Sequence, residues 1–293
     1  MRVGVYIPNG AGGDFPGWNM RAAWERTLDL ARLSEKLGYE SLWVPDHLQN
    51  VRVHNDLPTF EIFPHMTAFA MVTERVTIGS AVLCAGWRNP ALLYKMMSTL
   101  DVASNGRAEI AIGAGWNEWE WRGYGYGFPS GRERLKLLEE ALEIISRMQQ
   151  PGRQSWQGEQ FHIDDVVCEP KSIRQPRMPL IVGGNGQKVT WRLAARFADE
   201  LNLDGPSIEQ IAEWMPIIRQ RCEEIGRDPA TMPVSTLLRW RGVTGQQRVE
   251  GLQFLAELGL NRILTDNVAL MDSDEPLYEY VEDCNAAGVE LLA

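Results

Sequence analysis

Histidine, cysteine and long apolar runs are all scarce in this chain, and each scarcity removes a class of function. Only four histidines occur, at positions 47, 54, 65 and 162, with no His-x-His and no His-Glu-x-x-His, so a metal hydrolase would lack its ligands. Four cysteines (Cys84, Cys168, Cys222, Cys284) are scattered without a Cys-x-x-Cys pair. That spacing argues against metal clusters and redox dithiols, and a reducing cytoplasm is the default compartment. No apolar stretch approaches the ~18 residues of a membrane span. The first residues, Met1 to Ile7, enter a short strand and carry no signal-peptide pattern. Positive charge is in deficit too: 29 Lys and Arg against 39 Asp and Glu give a net −10. A nucleic-acid partner would want a basic face. No Gly-x-Ser-x-Gly elbow is present, which removes the commonest serine-hydrolase arrangement.

What is present is a regular alternation of short apolar segments with helical patterns. Strands are predicted near Val3–Ile7, Ser41–Val44, Val76–Leu83, Ala108–Gly113, Leu180–Gly183, Glu200–Leu203, Val234–Leu238 and Arg262–Thr265. The segments between them carry the 3.6-residue apolar repeat, as in Ala23, Leu30, Leu33 and Leu37, in Val189, Leu193 and Phe197, and in Val249, Leu252 and Leu255. Gly38 and Gly259 each fall just past a last helical turn, where a left-handed cap returns the chain to a strand. Eight βα repeats with right-handed crossovers close into a (β/α)8 TIM barrel, read here as one domain over residues 1–293. A doubly wound open sheet is the alternative, and strands spread over the whole chain favour closure. Insertions are expected over about 116–131, dense in aromatics and glycines, and about 149–179, with a hairpin at Ser155–Ile163. Asn50–Pro58 reads as a polar loop over the barrel mouth.

Two segments at the carboxyl ends of strands stand out, the end where parallel α/β folds bind ligands. Asp46-His47 follows the second strand. The pair could relay a proton, since imidazole is the side chain easiest to poise near neutrality; alternatively, Asp46 caps a turn and His47 bonds locally. His54, His65 and His162 read as structural. Gly183-Gly184-Asn185-Gly186 joins the fifth strand to a helix. Its glycines would let a phosphate approach the backbone and the helix start, with Lys188 and Arg192 nearby. The third glycine of the dinucleotide fingerprint is missing, and although Asp204 lies about 20 residues on, the segment does not open a βαβ unit. A phosphate cradle, aromatic walls and a proton-bearing pair suit a flat phosphorylated redox cofactor better than hydrolysis.

Trp43-Val44-Pro45-Asp46-His47, Arg88-Asn89-Pro90, Thr99 through Arg107, Gly113-Ala114-Gly115-Trp116-Asn117-Glu118, Tyr124 through Ser130, Glu169-Pro170-Lys171 and Gly183-Gly184-Asn185-Gly186 run in an order that resembles the luciferase-like monooxygenase superfamily. Within it, the sequence is most similar to the branch that uses the deazaflavin coenzyme F420; other relatives use reduced FMN and oxygen. The resemblance implies a TIM barrel, commonly a homodimer, with the ring lying across the strand ends. It implies a non-proline cis peptide at Ala81-Val82, cofactor contacts from Ala81, Val82, Cys84, Gly113, Ala114 and Gly115, and a phosphate at Gly183, Gly184, Asn185 and Gly186. His47 and Asp46 match the catalytic strand end. Trp116 stands where sugar-phosphate dehydrogenases of the superfamily carry an acidic glutamate. That departure points to an apolar or aromatic substrate held by Trp116 and Tyr124, with Glu118 able to replace the acid only if its loop turns back. The acidic tail of F420 would want a basic groove near Lys188, Arg192 and Arg88. The leading expectation is therefore an F420-dependent oxidoreductase acting on a small molecule, with no metal. The alternatives are a reduced-FMN monooxygenase and, more distantly, a non-catalytic flavin-binding protein.

Overall fold

Strands buried on both faces read as unbroken apolar runs, and Ala108–Gly113, with every residue buried, is the clearest of them. In the computed structural model, which describes residues 1–240, 242–265 and 269–292, the chain order is β1 (Arg2–Tyr6), α1 (Met20–Lys36), β2 (Ser41–Val44), α2 (Ile62–Val72), β3 (Thr77–Ser80), β4 (Leu83–Cys84), α3 (Pro90–Ala103) and β5 (Ala108–Gly113). It continues through α4 (Glu118–Gly123), α5 (Gly131–Met148), β6 (Gln154–Gln157), β7 (His162–Val166), β8 (Leu180–Gly183), α6 (Thr190–Phe197), β9 (Glu200–Asp204) and α7 (Ile208–Glu223). It ends with β10 (Val234–Leu238), α8 (Gln246–Glu257), β11 (Arg262–Thr265) and α9 (Glu275–Ala286). All ladders of the main sheet are parallel, and β1 pairs with both β2 and β11 while β3 pairs with β5. The sheet closes into the expected (β/α)8 barrel.

The segment expected as one strand over Val76–Leu83 is two. β3 follows β2, the chain breaks at Ala81-Val82, whose peptide bond is cis as the resemblance implied, and β4 continues against β5. An apolar run alone carries no sign of that break. The helices obey their end signals. Asn89 accepts the Ala91 and Leu92 amides ahead of Pro90, Ser130 and Glu133 form a capping box, and Gly38 and Gly259 sit at φ +90° and +85°. One helix differs from expectation: Val189 is 43% exposed just before α6, whose buried face is Thr190, Trp191, Leu193, Ala194 and Ala195. The hairpin appears as antiparallel β6 and β7, its turn fixed by buried Glu140, which accepts the amides of Glu159, Gln160 and Phe161.

Inside the barrel the layers are distinct. Trp43, Ala111, Ile181, Leu237 and Leu264 fill the middle, with Tyr6, Ala81 and Val82 packed against them. Gly4 and Gly79 make room for this layer: a Cβ on Gly79 would lie 2.9 Å from the Trp43 ring, and one on Gly4 2.4 Å from Ser41 Oγ. Below Trp43, at the amino ends of the strands, sits an ion cluster. Arg262 donates to Glu109 at 2.6 and 3.2 Å and lies 5.1 Å over the Trp43 ring, while Arg2 pairs with Glu40 and Glu200. The barrel is thus sealed at the bottom and open at the top. Among the described residues no helix is long and apolar enough to cross a membrane.

Candidate active site

The open end holds a cavity of about 360 Å³, within the range of small-molecule sites. Of the residues expected there, it is lined by Asp46, His47, Ala81, Val82, Cys84, Gly113, Ala114, Gly115, Trp116, Gly183, Gly184 and Asn185. Two expected residues are elsewhere. Tyr124 is 53% exposed and uses its hydroxyl to donate to the Leu48 carbonyl at 2.9 Å, because the helix carrying it presents Trp121, not Tyr124, to the protein. Gly186 is a turn residue off the cavity wall; a Cβ there would strike Thr190 Oγ1 at 2.5 Å.

The floor is apolar and close-fitting. Val82 fills the space over two strands, since a Cβ on Gly183 would come within 2.7 Å of it and one on Gly113 within 2.8 Å. These glycines are needed for close approach; their backbone φ is ordinary. At one end, Gly184 has φ +132°, its amide donates to the Asn202 carbonyl, and Asn185 is clamped both ways to the Asp204 backbone at 2.8 and 3.0 Å. α6 starts a few residues later with no side-chain cap, and Thr190 in its first turn lines the cavity. A glycine-walled bend beside an uncapped helix start fits a phosphate. The positive charge expected around it is arranged differently. Arg192 is paired with Glu224, Arg88 is turned inward, Lys188 is exposed, and Arg239 on the cavity wall pairs with Asp204 at 3.2 Å.

Asp46 and His47 diverge although they are neighbours. Buried Asp46 takes both guanidinium nitrogens of Arg88, at 2.8 and 3.0 Å, and the Cys84 amide at 2.8 Å, tying the end of β2 to β4. Burial works against the Arg88 charge, but Asp46 and Glu61 hold it protonated well above its ordinary value. The carboxylate that reaches His47 is Glu120: its Oε2 lies 2.8 Å from His47 Nδ1, and its Oε1 accepts the Leu48 amide at 2.7 Å. An Asp46–His47 relay is therefore not the geometry; a Glu120–His47 pair is. Glu118 pairs with Arg122 and does not line the cavity, so it does not replace the acid; the carboxylate of this loop that lines the cavity is Glu120. Trp116, 60% exposed, meets the His47 ring edge-on at 5.7 Å. Burial pushes the Cys84 thiol far up, with Asp46 and Glu120 adding to the shift, so Cys84 is a neutral wall and not a nucleophile.

The other three histidines do not line the cavity. His65 is fully buried among Trp24, Phe60 and Phe69 with Nε2 2.8 Å from Thr27 Oγ1; His54 is exposed beside Trp119; His162 is exposed in β7. Among the described residues no cluster of His, Cys, Asp and Glu could hold a metal ion.

A parallel (β/α)8 barrel with a deep cavity at the carboxyl ends of its strands, a phosphate-sized cradle on one wall and a carboxylate–imidazole pair on another, defines the class of cofactor-binding barrel enzymes. The chain matches the family model described as luciferase-like monooxygenase over residues 1–239, and it belongs to that family. It is 31% identical over 205 residues to an F420-dependent glucose-6-phosphate dehydrogenase of Kineococcus radiotolerans, a match covering 69% of this chain and 59% of that protein. It is 24% identical over 229 residues to an FMNH(2)-dependent dimethylsulfone monooxygenase of Pseudomonas putida, covering 77% and 62%. The chain thus spans about three-fifths of the length of both relatives. A solved F420-dependent secondary alcohol dehydrogenase, in complex with an F420-acetone adduct, shares the fold with a TM-score of 0.79 over 98% of each chain at 18% identity.

Proposed function

We propose that this protein is an oxidoreductase that moves a hydride between coenzyme F420 and a small apolar or aromatic substrate carrying a hydroxyl, or its carbonyl counterpart. The observation that carries the reading is the gathering of His47, Trp116, the Val82 floor and the Gly183–Asn185 bend around one cavity. The bend and the uncapped start of α6 would hold the phosphate, with the ring on Ala81, Val82 and Leu237. Bound F420 would supply the hydride-exchanging carbon. Oxidation of a C–H/O–H carbon then balances when the hydride leaves carbon and the hydroxyl proton passes to His47. Trp116 replaces a glutamate at the edge of that pocket, which favours an apolar or aromatic substituent over a sugar phosphate. F420-dependent relatives support the cofactor.

A reduced-FMN monooxygenase is the second reading, favoured by the aromatic wall of Tyr6, Trp87 and Trp116 and by the Pseudomonas putida relative. That chemistry needs water excluded from a reactive adduct. Of the insertion's aromatics Trp116 lines the cavity while Trp119 and Tyr124 do not, and Tyr6 and Trp87 complete the aromatic wall. Titration with F420 and FMN, each oxidised and reduced, followed by absorbance and fluorescence, tests both. F420 is expected to bind and FMN not. Binding of reduced FMN alone would transfer the proposal to the monooxygenase, and binding of neither would end the redox reading.

A further inference from the structure

We infer that Glu120 is a positioning residue: delivered by the 116–131 insertion, it fixes the tautomer of His47 so that Nε2 is the proton-accepting atom of the site. The inference rests on the reading of His47 as the proton partner of the substrate. An ionised carboxylate can only accept hydrogen bonds, and both oxygens of Glu120 are engaged: Oε1 accepts the Leu48 amide at 2.7 Å and Oε2 lies 2.8 Å from His47 Nδ1. Nδ1 must then carry the proton in the neutral ring. That leaves the Nε2 lone pair as the ring's acceptor, in a side chain that lines the cavity and is 18% exposed. The opposite tautomer would set a bare Nδ1 against a carboxylate oxygen, two acceptors in contact.

The insertion is built to hold this carboxylate still. Asn117 caps α4 by accepting the Trp119 amide at 3.0 Å. Trp121 from the same turn is buried against Trp87, Tyr126 and Phe128. It fits because residues 86 and 115 have no side chain: a Cβ there would lie 2.1 and 3.1 Å from its ring. Leu48, next to His47, is gripped on both sides, its amide by Glu120 and its carbonyl by the Tyr124 hydroxyl at 2.9 Å. Arg134 lies 4.2 Å over Phe128 and donates to the Gly115 carbonyl, closing the far end. The insertion is therefore part of the machinery, and the acid lost at position 116 has a different successor. Trp116 occupies the substrate side, while Glu120, whose fully buried side chain also borders the cavity, acts through His47.

The test uses the cofactor-free protein with 15N-labelled histidine at a pH of about 8, above the ordinary imidazole range. Nitrogen shifts of His47, assigned with His47→Asn, are expected to show a protonated Nδ1 and a bare Nε2. In Glu120→Gln the amide oxygen keeps the Leu48 N–H and the NH2 faces Nδ1, so the tautomer should reverse. F420 affinity should change less than about twofold while kcat with 2-propanol, cyclohexanol and benzyl alcohol falls about 100-fold or more, the scale of a lost general base. A wild-type spectrum with the proton on Nε2 overturns the inference without any variant, as does a reversed tautomer with full kcat. If His47→Asn turns over as fast as wild type, or wild type reduces F420 with none of the alcohols, the proposed function falls while the tautomer result stands.

Discussion

His65 is the residue whose burial has the plainest consequence for stability. Thr27 Oγ1 donates to the Trp24 carbonyl, so the His65 Nε2 beside it must be the donor of the pair, and Nδ1 is left bare among aromatic rings. Burial alone lowers the pKa from the usual imidazole range to about 3. The unfolded chain binds a proton near pH 6.5, whereas the folded one does not until far lower. The stability from neutral His65 is therefore complete above about pH 6.5 and is lost at about 1.4 kcal/mol per pH unit as pH falls toward the folded value. Urea unfolding at pH 7 and pH 5 should show this as a drop of about 2 kcal/mol in wild type that is absent in His65→Gln, which keeps a donor for Thr27. Equal drops in both proteins would show that His65 titrates freely. Side chains of this kind mark the limit of what the sequence discloses at the residue scale. An isolated histidine in an apolar helix could be recognised as structural. The partner of His47 could not, because Glu120 is 73 residues away. Asp46, its neighbour, leaves the strand end in another direction.

Among the elements, the strand pair around the Ala81-Val82 step carries the most. Eight strands and their glycine-capped helices were legible because parallel strands buried on both sides must be continuously apolar, and because helix ends need specific residues. The split of the third strand into β3 and β4 was not legible from hydropathy, since Ala81 and Val82 are as apolar as their neighbours; only the family resemblance pointed to it. The packing it creates is testable. Gly183→Ala places a methyl 2.7 Å from Val82, in a floor with no slack, and should cost about 1–3 kcal/mol as overpacking. It should also weaken cofactor binding, because relief can come only by lifting Val82 into the cavity. Val82→Ala in the same chain removes the opposing atoms, and the double variant should recover at least 1 kcal/mol relative to the sum of the two single changes, about the coupling typical of residues in contact. Thermal and urea unfolding of the four proteins measure that coupling. Strict additivity would mean that Val82 does not press on the β8 backbone.

The whole molecule separates its two ends, and that separation makes a prediction about stability that should leave the site alone. At the amino ends of the strands, Glu40, Glu109 and Glu200 converge on Arg262 and Arg2, with Arg174 3.5 Å from Glu109. Burial alone would drive Glu109 toward the neutral form, but Arg262 outweighs it and holds the carboxyl below its usual range. Removing one member of a buried pair strands the other charge, which costs about 3–5 kcal/mol, whereas replacing both with apolar groups is commonly neutral or better. Arg262→Met should therefore lower the unfolding free energy by about that amount, and adding Glu109→Leu should restore most of it. Arg2 stays beside the remaining carboxylates, 2.6 Å from Glu40 and 3.1 Å from Glu200, so the double variant does not leave them bare. The Trp43 layer lies between this cluster and the cavity, so cofactor affinity per folded molecule should match wild type in the double variant. A double variant as unstable as Arg262→Met would mean that Arg262 serves Glu40 and Glu200 more than Glu109. A stable double variant that no longer binds cofactor would mean that the ion cluster sets the shape of the barrel mouth through Trp43, and the two ends of the barrel would then not be independent.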